Sequence, residues 1–335
     1  MYCPLVSILI PNYNKALYLK ETLDSVLDQT YSNWECIVVD DHSSDQSWEI
    51  LEEYAKKDSR VKIFKRPENR SKGGSVARNY AFELSEGEFI QWLDSDDVIH
   101  PNKVQTQLND LLSNKLNSVS ISNWDWFEFI IDIKNHDRFS DCFTDIDLRL
   151  EGYPKEGFEL ILWLFKNNLF IPSHAYFMCR NTIIASGLWK EDLNKNQDGE
   201  FMLRVLLHSK KVVFNKSVYA FYRRPVSSHL SKQRTLQTFI DWFRSYELGD
   251  QNILAIKNTK EVREILILNY ERLIKFTGLE VPIVTQMALE RIKVLKPTVR
   301  YDLSKPYLIW LGAWLGLNNF LRFRSVLISL KIIKN

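Results

Sequence analysis

Short, nearly continuous apolar runs recur at Val6 to Ile10, Glu35 to Val39, Val61 to Lys65 and Phe89 to Leu93. Bounded by turn formers, such runs are the pattern of strands buried on both faces, as in a parallel sheet. Between them the spacing becomes helical. Apolar residues at 19, 23, 26 and 27 predict a helix over Leu17 to Gln29, Asp45 can cap a second that runs to about Lys57, and Gly74 to Ser85 reads as a third. Strand alternating with helix over residues 1–115 predicts an α/β fold: an open, mostly parallel, Rossmann-like sheet with helices on both faces. Further on, a helix follows Pro101 to about Asn114, with strands around Ser118 to Ser122 and Trp126 to Ile131. Residues 132–158 are polar and irregular. A helix near Phe158 to Lys166, a strand near Ala175 to Cys179 and a helix beginning near Asp198 come next. Beyond residue 230 the pattern is helical, at about 233–256, 259–276 and 280–295.

Composition narrows the class. With 45% hydrophobic and 26% charged residues, the 335-residue chain can bury a sizeable core, which excludes general disorder. Its 44 basic and 42 acidic residues nearly cancel, so no global field recommends nucleic acid as a partner. Cys3, Cys36, Cys142 and Cys179 lie far apart without CxxC pairing, the usage of a reducing cytosol. The opening residues lack a basic segment and read as a first strand, not a signal peptide. No uncharged run reaches the ~20 residues of a membrane-spanning helix. These features together predict a cytoplasmic protein.

Chemistry concentrates where strands end. In open parallel sheets the ligand lies beyond the carboxyl ends of the strands, and Pro11-Asn12-Tyr13-Asn14, Asp40-Asp41 and Asp94-Ser95-Asp96-Asp97 all fall there. Three carboxylates within four residues repel unless something positive sits among them. A hard cation such as Mg²⁺ or Mn²⁺ takes one or two carboxylates plus substrate phosphates; a solvated acidic turn before the helix at Pro101 fits the same letters. Asp41 is suited to a base N–H or a ribose hydroxyl, whereas Asp45 reads as a structural cap. Arg78, in a helix preceded by Lys72-Gly73-Gly74, suits phosphate; pairing with Glu83 at the surface is the plainer alternative.

Taken in order, Pro11-Asn12-Tyr13-Asn14, Val39 to Asp45, Ala77-Arg78-Asn79 and Leu93 to Asp97 resemble the motifs of family 2 glycosyltransferases of the GT-A type. The resemblance is specific over about residues 4–115 and weaker to about residue 230. It implies a catalytic domain over 1–230, with nucleotide-sugar binding in 1–115 and the acceptor side in 116–230, and a helical C-terminal region over 231–335. It implies that Asp41 reads the donor base, that Pro11, Asn12, Tyr13 and Asn14 line the same pocket, and that Arg78 lies near base or diphosphate. Asp94, Ser95 and Asp96 would form the Asp-x-Asp motif, with Mn²⁺ or Mg²⁺ on Asp96 and Asp97; which carboxylate is the direct ligand stays open. Asn196-Gln197-Asp198-Gly199-Glu200-Phe201 resembles the acceptor-side motif, in which Asp198 would be the general base, although Gln197 stands where an acid is usual and Asp198 could instead cap its helix. Arg223 and Arg224 resemble a basic loop that closes on the donor phosphates. The implied activity is inverting transfer of a hexosyl or N-acetylhexosaminyl group from a nucleoside-diphosphate sugar, UDP favoured, to a glycan or lipid-linked acceptor in bacterial surface polysaccharide synthesis.

Three rival readings are weaker. An NAD-dependent oxidoreductase needs a glycine-rich phosphate loop where Pro-Asn-Tyr-Asn stands; a nucleotidyltransferase lacks its basic glycine-rich loop for the same reason. An inactive transferase-like scaffold or sugar-binding module is the non-enzymatic alternative. Residues 301–335 carry Lys305, Arg322, Arg324, Lys331 and Lys334 among Tyr307, Trp310, Trp314, Phe320 and Phe323. Two placements fit them: peripheral contact at the inner face of the plasma membrane, or packing on the domain or on a partner subunit. The sequence names no oligomeric state.

Overall fold

The computed structural model describes residues 2–114, 118–127, 152–223, 234–278 and 280–296. The chain divides into two compact units, the first made of Met1–Leu164 and Asn168–Lys232, the second of Phe165–Asn167 and the residues from Gln233 on.

The first unit is built on alternating elements: β1 (Val6–Asn12), α1 (Ala16–Leu27), β2 (Trp34–Asp40), α2 (Ser47–Lys57), β3 (Val61–Lys65), α3 (Gly74–Leu84) and β4 (Phe89–Trp92). After them come β5 (Val98–Ile99), α4 (Lys103–Asn114), β6 (Ser118–Phe127), α5 (Gly157–Asn167), a 3₁₀ turn at Ser173–Ala175, β7 (Tyr176–Cys179), α6 (Arg180–Ser186), α7 (Gln197–Leu207) and β8 (Lys211–Arg223). The eight strands form one sheet in the order β3-β2-β1-β4-β7-β6-β8-β5. Pairs β1–β2, β2–β3, β1–β4 and β6–β8 are parallel, while β7 and β5 run against their neighbours. All seven residues of β2 are buried, which explains why its letters read as an unbroken apolar run rather than an alternation. Ile8, Ile10, Leu23, Val26, Trp34, Val38, Phe89 and Phe177 belong to one core cluster between the sheet and its helices.

Three elements differ from expectation. β6 is one strand where two were expected, because the polar Asn123–Asp125 segment stays paired to β8 after a register jump at Ser122/Asn123; the expected continuation to Ile131 lies outside the described residues. That jump leaves Lys216 to Val218 without register partners on β6, although Asn123 Nδ2 donates to the Lys216 carbonyl at 3.1 Å; it is a bulge of the kind that re-aims side chains near functional sites. β5 has two residues and β8 mixes buried with exposed positions, so neither has a period to detect. Asp45, expected to cap α2, stands one residue before the N-cap position, which Gln46 holds. Its carboxylate accepts from the Ser47 N–H at 3.0 Å and from the Ala16 N–H at 3.0 Å, so it ties the start of α1 to the start of α2.

The second unit contains α8 (Leu236–Ile256), α9 (Lys260–Thr277) and α10 (Pro282–Leu295). A capping box at Thr235 and Thr238 starts α8, and the Thr259 hydroxyl caps α9. Buried Asp250 accepts from the Tyr270 hydroxyl at 2.5 Å and from Arg291 Nε at 3.1 Å, joining the three helices. Residues 301–335, read above as a basic aromatic segment, lie outside the described residues.

Lys103 is fully buried at the start of α4 and donates to Gln91 Oε1 at 2.6 Å and Gln107 Oε1 at 2.5 Å, with no carboxylate in the set. Burial pushes its pKa well below the ordinary lysine value, and a neutral amine has two N–H groups for these two oxygens. Between the folded and unfolded lysine pKa values the unfolded chain binds a proton that the folded chain does not. Stability therefore rises with pH towards the unfolded value, by up to about 1.4 kcal/mol per pH unit. Chemical denaturation from pH 7 to 10 should show this slope in the native chain and its loss in Lys103→Met; parallel profiles would refute the neutral lysine.

Candidate active site

Because β1, β2 and β4 are parallel, their carboxyl ends open at one edge of the sheet, and the loops that follow them are stitched together. Asn12 Nδ2 donates to Asp40 Oδ1 at 2.7 Å, and the Ser43 N–H donates to Asp40 Oδ2 at 2.9 Å. The Asn14 N–H donates to Ser43 Oγ at 2.9 Å, and Asn14 Oδ1 accepts the Ser44 N–H at 2.7 Å. Asn14 and His42 hold left-handed φ angles of 50° and 57°, which asparagine and histidine tolerate better than most side chains. Asn12 and Asn14 thus build the wall, half-buried Pro11 continues it, and Tyr13 between them stays 40% exposed. Lys72 Nζ sits 3.6 Å from the centroid of the Tyr13 ring.

Beside Tyr13 lies Asp41, buried and paired with the equally buried Arg66. Its other oxygen accepts the N–H of Gly73 at 2.9 Å. Gly73 has φ 153°, a backbone conformation that side chains rarely adopt. Arg66 also donates to the carbonyls of Pro67 and Arg70. Arg66 was not singled out in the sequence, yet it anchors the loop that carries Lys72 and Gly73 to Asp41.

The Asp94–Asp97 turn is neutralised from three sides. Arg78 Nη2 donates to Asp94 Oδ1 at 2.6 Å. Lys15 Nζ lies 2.5 Å from Asp96 Oδ2. Asp97, fully buried, accepts the Arg223 N–H at 2.8 Å on Oδ1, while Oδ2 lies 3.0 Å from His174 Nδ1, out of line for a hydrogen bond. Burial would raise the Asp94 carboxyl, but Arg78, with His174 and Lys15 beside it, outweighs burial and holds it below its ordinary value. For Asp97 burial wins over His174, aided by Asp96 and Asp94, and the carboxyl rises to about 7. Ser95, between them, is buried. Asp96 and Asp97, paired in expectation as metal ligands, are thus placed differently: Asp96 lies against Lys15, and Asp97 is enclosed.

Arg78 is buried among these groups, with its guanidinium carbon 4.5 Å from the Trp189 ring centroid. The Glu83 partnership considered above goes to Arg70 instead. Nε and Nη1 of Arg78 have no hydrogen-bond partner among the described residues. Arg223 is buried as well. It donates from Nε to the Asp96 carbonyl at 2.8 Å, pairs with Glu21, and stacks against Tyr18 and Phe127. Here it braces the acidic turn against α1; Arg224 and the loop after it lie outside the described residues.

Asp198 stands in the first turn of α7, after Asn196 in the left-handed conformation. It is set deep among protein atoms yet keeps part of its surface open, the condition of a group at the floor of a depression. Asp94 is the same, with 30% of its side chain open. Burial raises the Asp198 carboxyl, against the pull of the Gly199 N–H and of Arg78. Glu200 takes no part in the depression. It forms a buried pair with Arg204, whose remaining donors hold the carbonyls of Ser186, Gly187 and Leu188. Asn79 fixes the same segment, donating to the Trp189 carbonyl at 2.9 Å and accepting the Trp189 N–H at 3.0 Å. Neighbours on α3 therefore do different work: Arg78 faces the carboxylates and Asn79 positions the chain that leads to Asp198.

No group of three or more histidine, cysteine or acidic side chains is placed to hold a metal among the described residues. A divalent cation on a diphosphate needs only one or two carboxylates from the protein, and Asp94 and Asp96 at the depression fit that donor set. Among the described residues no helix is long and apolar enough to cross a membrane.

Comparison with known proteins places the chain among glycosyltransferases. An uncharacterized glycosyltransferase of Rickettsia typhi is 33% identical over 73% of this chain and 70% of its own length. The E. coli protein WfgD, described as a UDP-Glc:alpha-D-GlcNAc-diphosphoundecaprenol beta-1,3-glucosyltransferase, is 41% identical over 33% of this chain and 43% of its own. TuaG of Bacillus subtilis, a putative teichuronic acid biosynthesis glycosyltransferase, is 42% identical over 32% of this chain and 42% of its own. Several relatives are thus matched over less than half their length. The structure of S. aureus TarS residues 1–349 with UDP-GlcNAc superposes with a TM-score of 0.67 over 97% of this chain and 91% of that one, at 19% identity, and so shares the fold. Residues 7–186, more than half of the chain, match Glycosyl transferase family 2, and the protein belongs to that family of glycosyltransferases.

Proposed function

We propose that this glycosyltransferase moves a sugar from a nucleoside diphosphate, UDP by preference, to a hydroxyl of a glycan or lipid-linked acceptor, with inversion at the anomeric carbon. The observation that carries the reading is the buried Arg78 guanidinium, which has two nitrogens without partners and stands between Asp94 and Asp198. Buried donors left unpaired are costly, and a diphosphate would satisfy both. UDP is preferred because WfgD is named for UDP-Glc and TarS was captured with UDP-GlcNAc; a mannosyltransferase of Pyrobaculum calidifontis, captured with GDP-Man and Mn²⁺, has a similar fold at a TM-score of 0.50. The WfgD description also supports a lipid-diphosphate-linked acceptor, and the TuaG description, which names teichuronic acid biosynthesis, supports a place in polysaccharide synthesis.

In this reading Asp41, Tyr13 and the wall of Pro11, Asn12 and Asn14 receive the nucleoside, and Arg78 and Lys15 face the diphosphate. Asp94 and Asp96 would hold Mn²⁺ or Mg²⁺, which when bound supplies positive charge to the departing diphosphate. Asp97 and Arg223 hold the acidic turn in shape. Asp198 takes the proton of the attacking acceptor hydroxyl, and its raised pKa brings it nearer to the working pH of a general base. Fixed positive groups where negative charge develops favour the transition state over the bound substrate.

The direct test is nucleoside diphosphate release from a panel of nucleotide sugars, with and without Mn²⁺. Release that needs the cation and falls by two orders of magnitude or more in Asp96→Ala is expected; no release from any donor by the folded native chain would favour an inactive scaffold. Asp198→Asn should keep donor affinity and lose about 10²- to 10⁴-fold in acceptor-stimulated turnover. Because a base works only when ionised, kcat in the native chain should fall as pH drops through a pKa above the ordinary aspartate value of about 3.9. A kcat flat down to that value would remove Asp198 from the role.

A further inference from the structure

A row of aromatic rings leads from the carboxylate depression to the surface. In the β6–β8 pair, Trp126 lies opposite Tyr222 and Trp124 opposite Ala220, so Trp124, Trp126 and Tyr222 project from one face of the sheet. Phe127 and Phe221 occupy the other face, where with Val98 they form a small buried core. On the first face the rings touch in sequence. His174 and Tyr222 have centroids 5.5 Å apart, Tyr222 and Trp126 4.6 Å, Trp126 and Trp124 5.7 Å, and Trp124 and Phe170 5.6 Å; Phe170 closes the group at 6.2 Å from Tyr222.

The inner end of this row is the catalytic depression. His174 lies against Asp97, and Asp97, Asp94, Asp198 and Asp96 all act on the Tyr222 phenol, which burial and these charges push above its ordinary pKa. At the outer end Trp126 is 37% exposed and Phe170 42% exposed. Two large rings held open at the outer end of a row whose inner end lies among four carboxylates suit an occupant that is apolar on its face and polar on its rim. A hexopyranose ring is such an object: its axial C–H bonds make an apolar face, and its hydroxyls lie around the edge. In the reading above the diphosphate lies with Arg78, Lys15 and the cation, so a row of uncharged rings that ends beside Asp198 suits the acceptor rather than the donor.

We propose that Trp126 and Phe170, backed by Trp124 and Tyr222, form a stacking subsite for a hexopyranose ring of the acceptor, with the attacking hydroxyl directed inward along Tyr222 towards Asp198. The inference rests on the transferase reading given above and adds the acceptor's chemistry and place.

Saturation-transfer NMR with a panel of methyl hexopyranosides, in the presence of UDP and Mg²⁺, tests it. Calorimetry of UDP on the same samples controls for the donor side. At least one glycoside should receive saturation on the C–H protons of one ring face in the native chain, should lose about tenfold in affinity in Trp126→Ala and in Phe170→Ala, and should recover most of it in Trp126→Phe. UDP affinity and melting temperature should stay at native values in all three variants. If UDP binds but no glycoside does, or if the glycosides bind the alanine variants as well as the native chain, the subsite is refuted and the donor reading survives. Failure of the native chain to bind UDP removes the transferase reading and this inference with it.

Discussion

The acidic depression at the end of β4 is the constraint on which the rest depends. Asp94, Asp96, Asp97 and Asp198 act within one electrostatic neighbourhood, and carboxylates this close stay ionised only where cations stand among them. The chain supplies those cations from separate places, Lys15 at the start of α1 and Arg78 in α3, while Arg223 at the end of β8 gives Asp97 its backbone N–H. Each salt bridge is therefore also a tertiary tie. Asp97 shows the cost, since its enclosure holds the turn but pushes its own carboxyl up to about 7. Arg78 shows the opportunity, since a guanidinium recruited to offset Asp94 keeps two buried nitrogens without hydrogen-bond partners among the described residues.

Around that depression the fold separates building from chemistry. Asn12, Asn14, Asp40 and Asp45 spend their side chains on loop-to-loop hydrogen bonds, which leaves Tyr13 exposed between them and Asp41 held by Arg66 and Gly73. On the opposite side Asn79, Glu200 and Arg204 lock the segment before α7, and Asp198 in the first turn of α7 stands near Asp94 of the acidic turn. Charged groups that are rigidly partnered keep their geometry when a substrate arrives, so little reorganisation is needed at the reacting centre.

The sheet of residues 1–115 was legible because buried parallel strands write unbroken apolar runs and the helices between them keep their spacing. Asp41, Arg78 and the Asp94–Asp97 turn were legible from where they fall, at strand ends and a helix start. What stayed hidden were partnerships that no local pattern encodes. Arg66 reaches Asp41 from 25 positions away, Arg223 reaches Asp97 from 126, and His174 meets Asp97 only because the 3₁₀ turn before β7 lies beside β4. β5 and β8 escaped because two residues have no period and a half-exposed strand has a broken one. The split between Asp96 and Asp97 could not be read from adjacent identical letters; their partners, Lys15 for one and the Arg223 N–H and His174 for the other, separate them.

If Arg78 is the group that receives the donor diphosphate, its loss must weaken UDP far more than uridine. The measurement is isothermal titration of UDP and of uridine, with Mg²⁺, into the native chain and into Arg78→Met, each shown to be folded by circular dichroism. Charge-assisted hydrogen bonds of about 1.5–3 kcal/mol predict a loss of roughly 10- to 150-fold for UDP and little change for uridine. Equal UDP affinity in the two proteins would contradict the account at its centre.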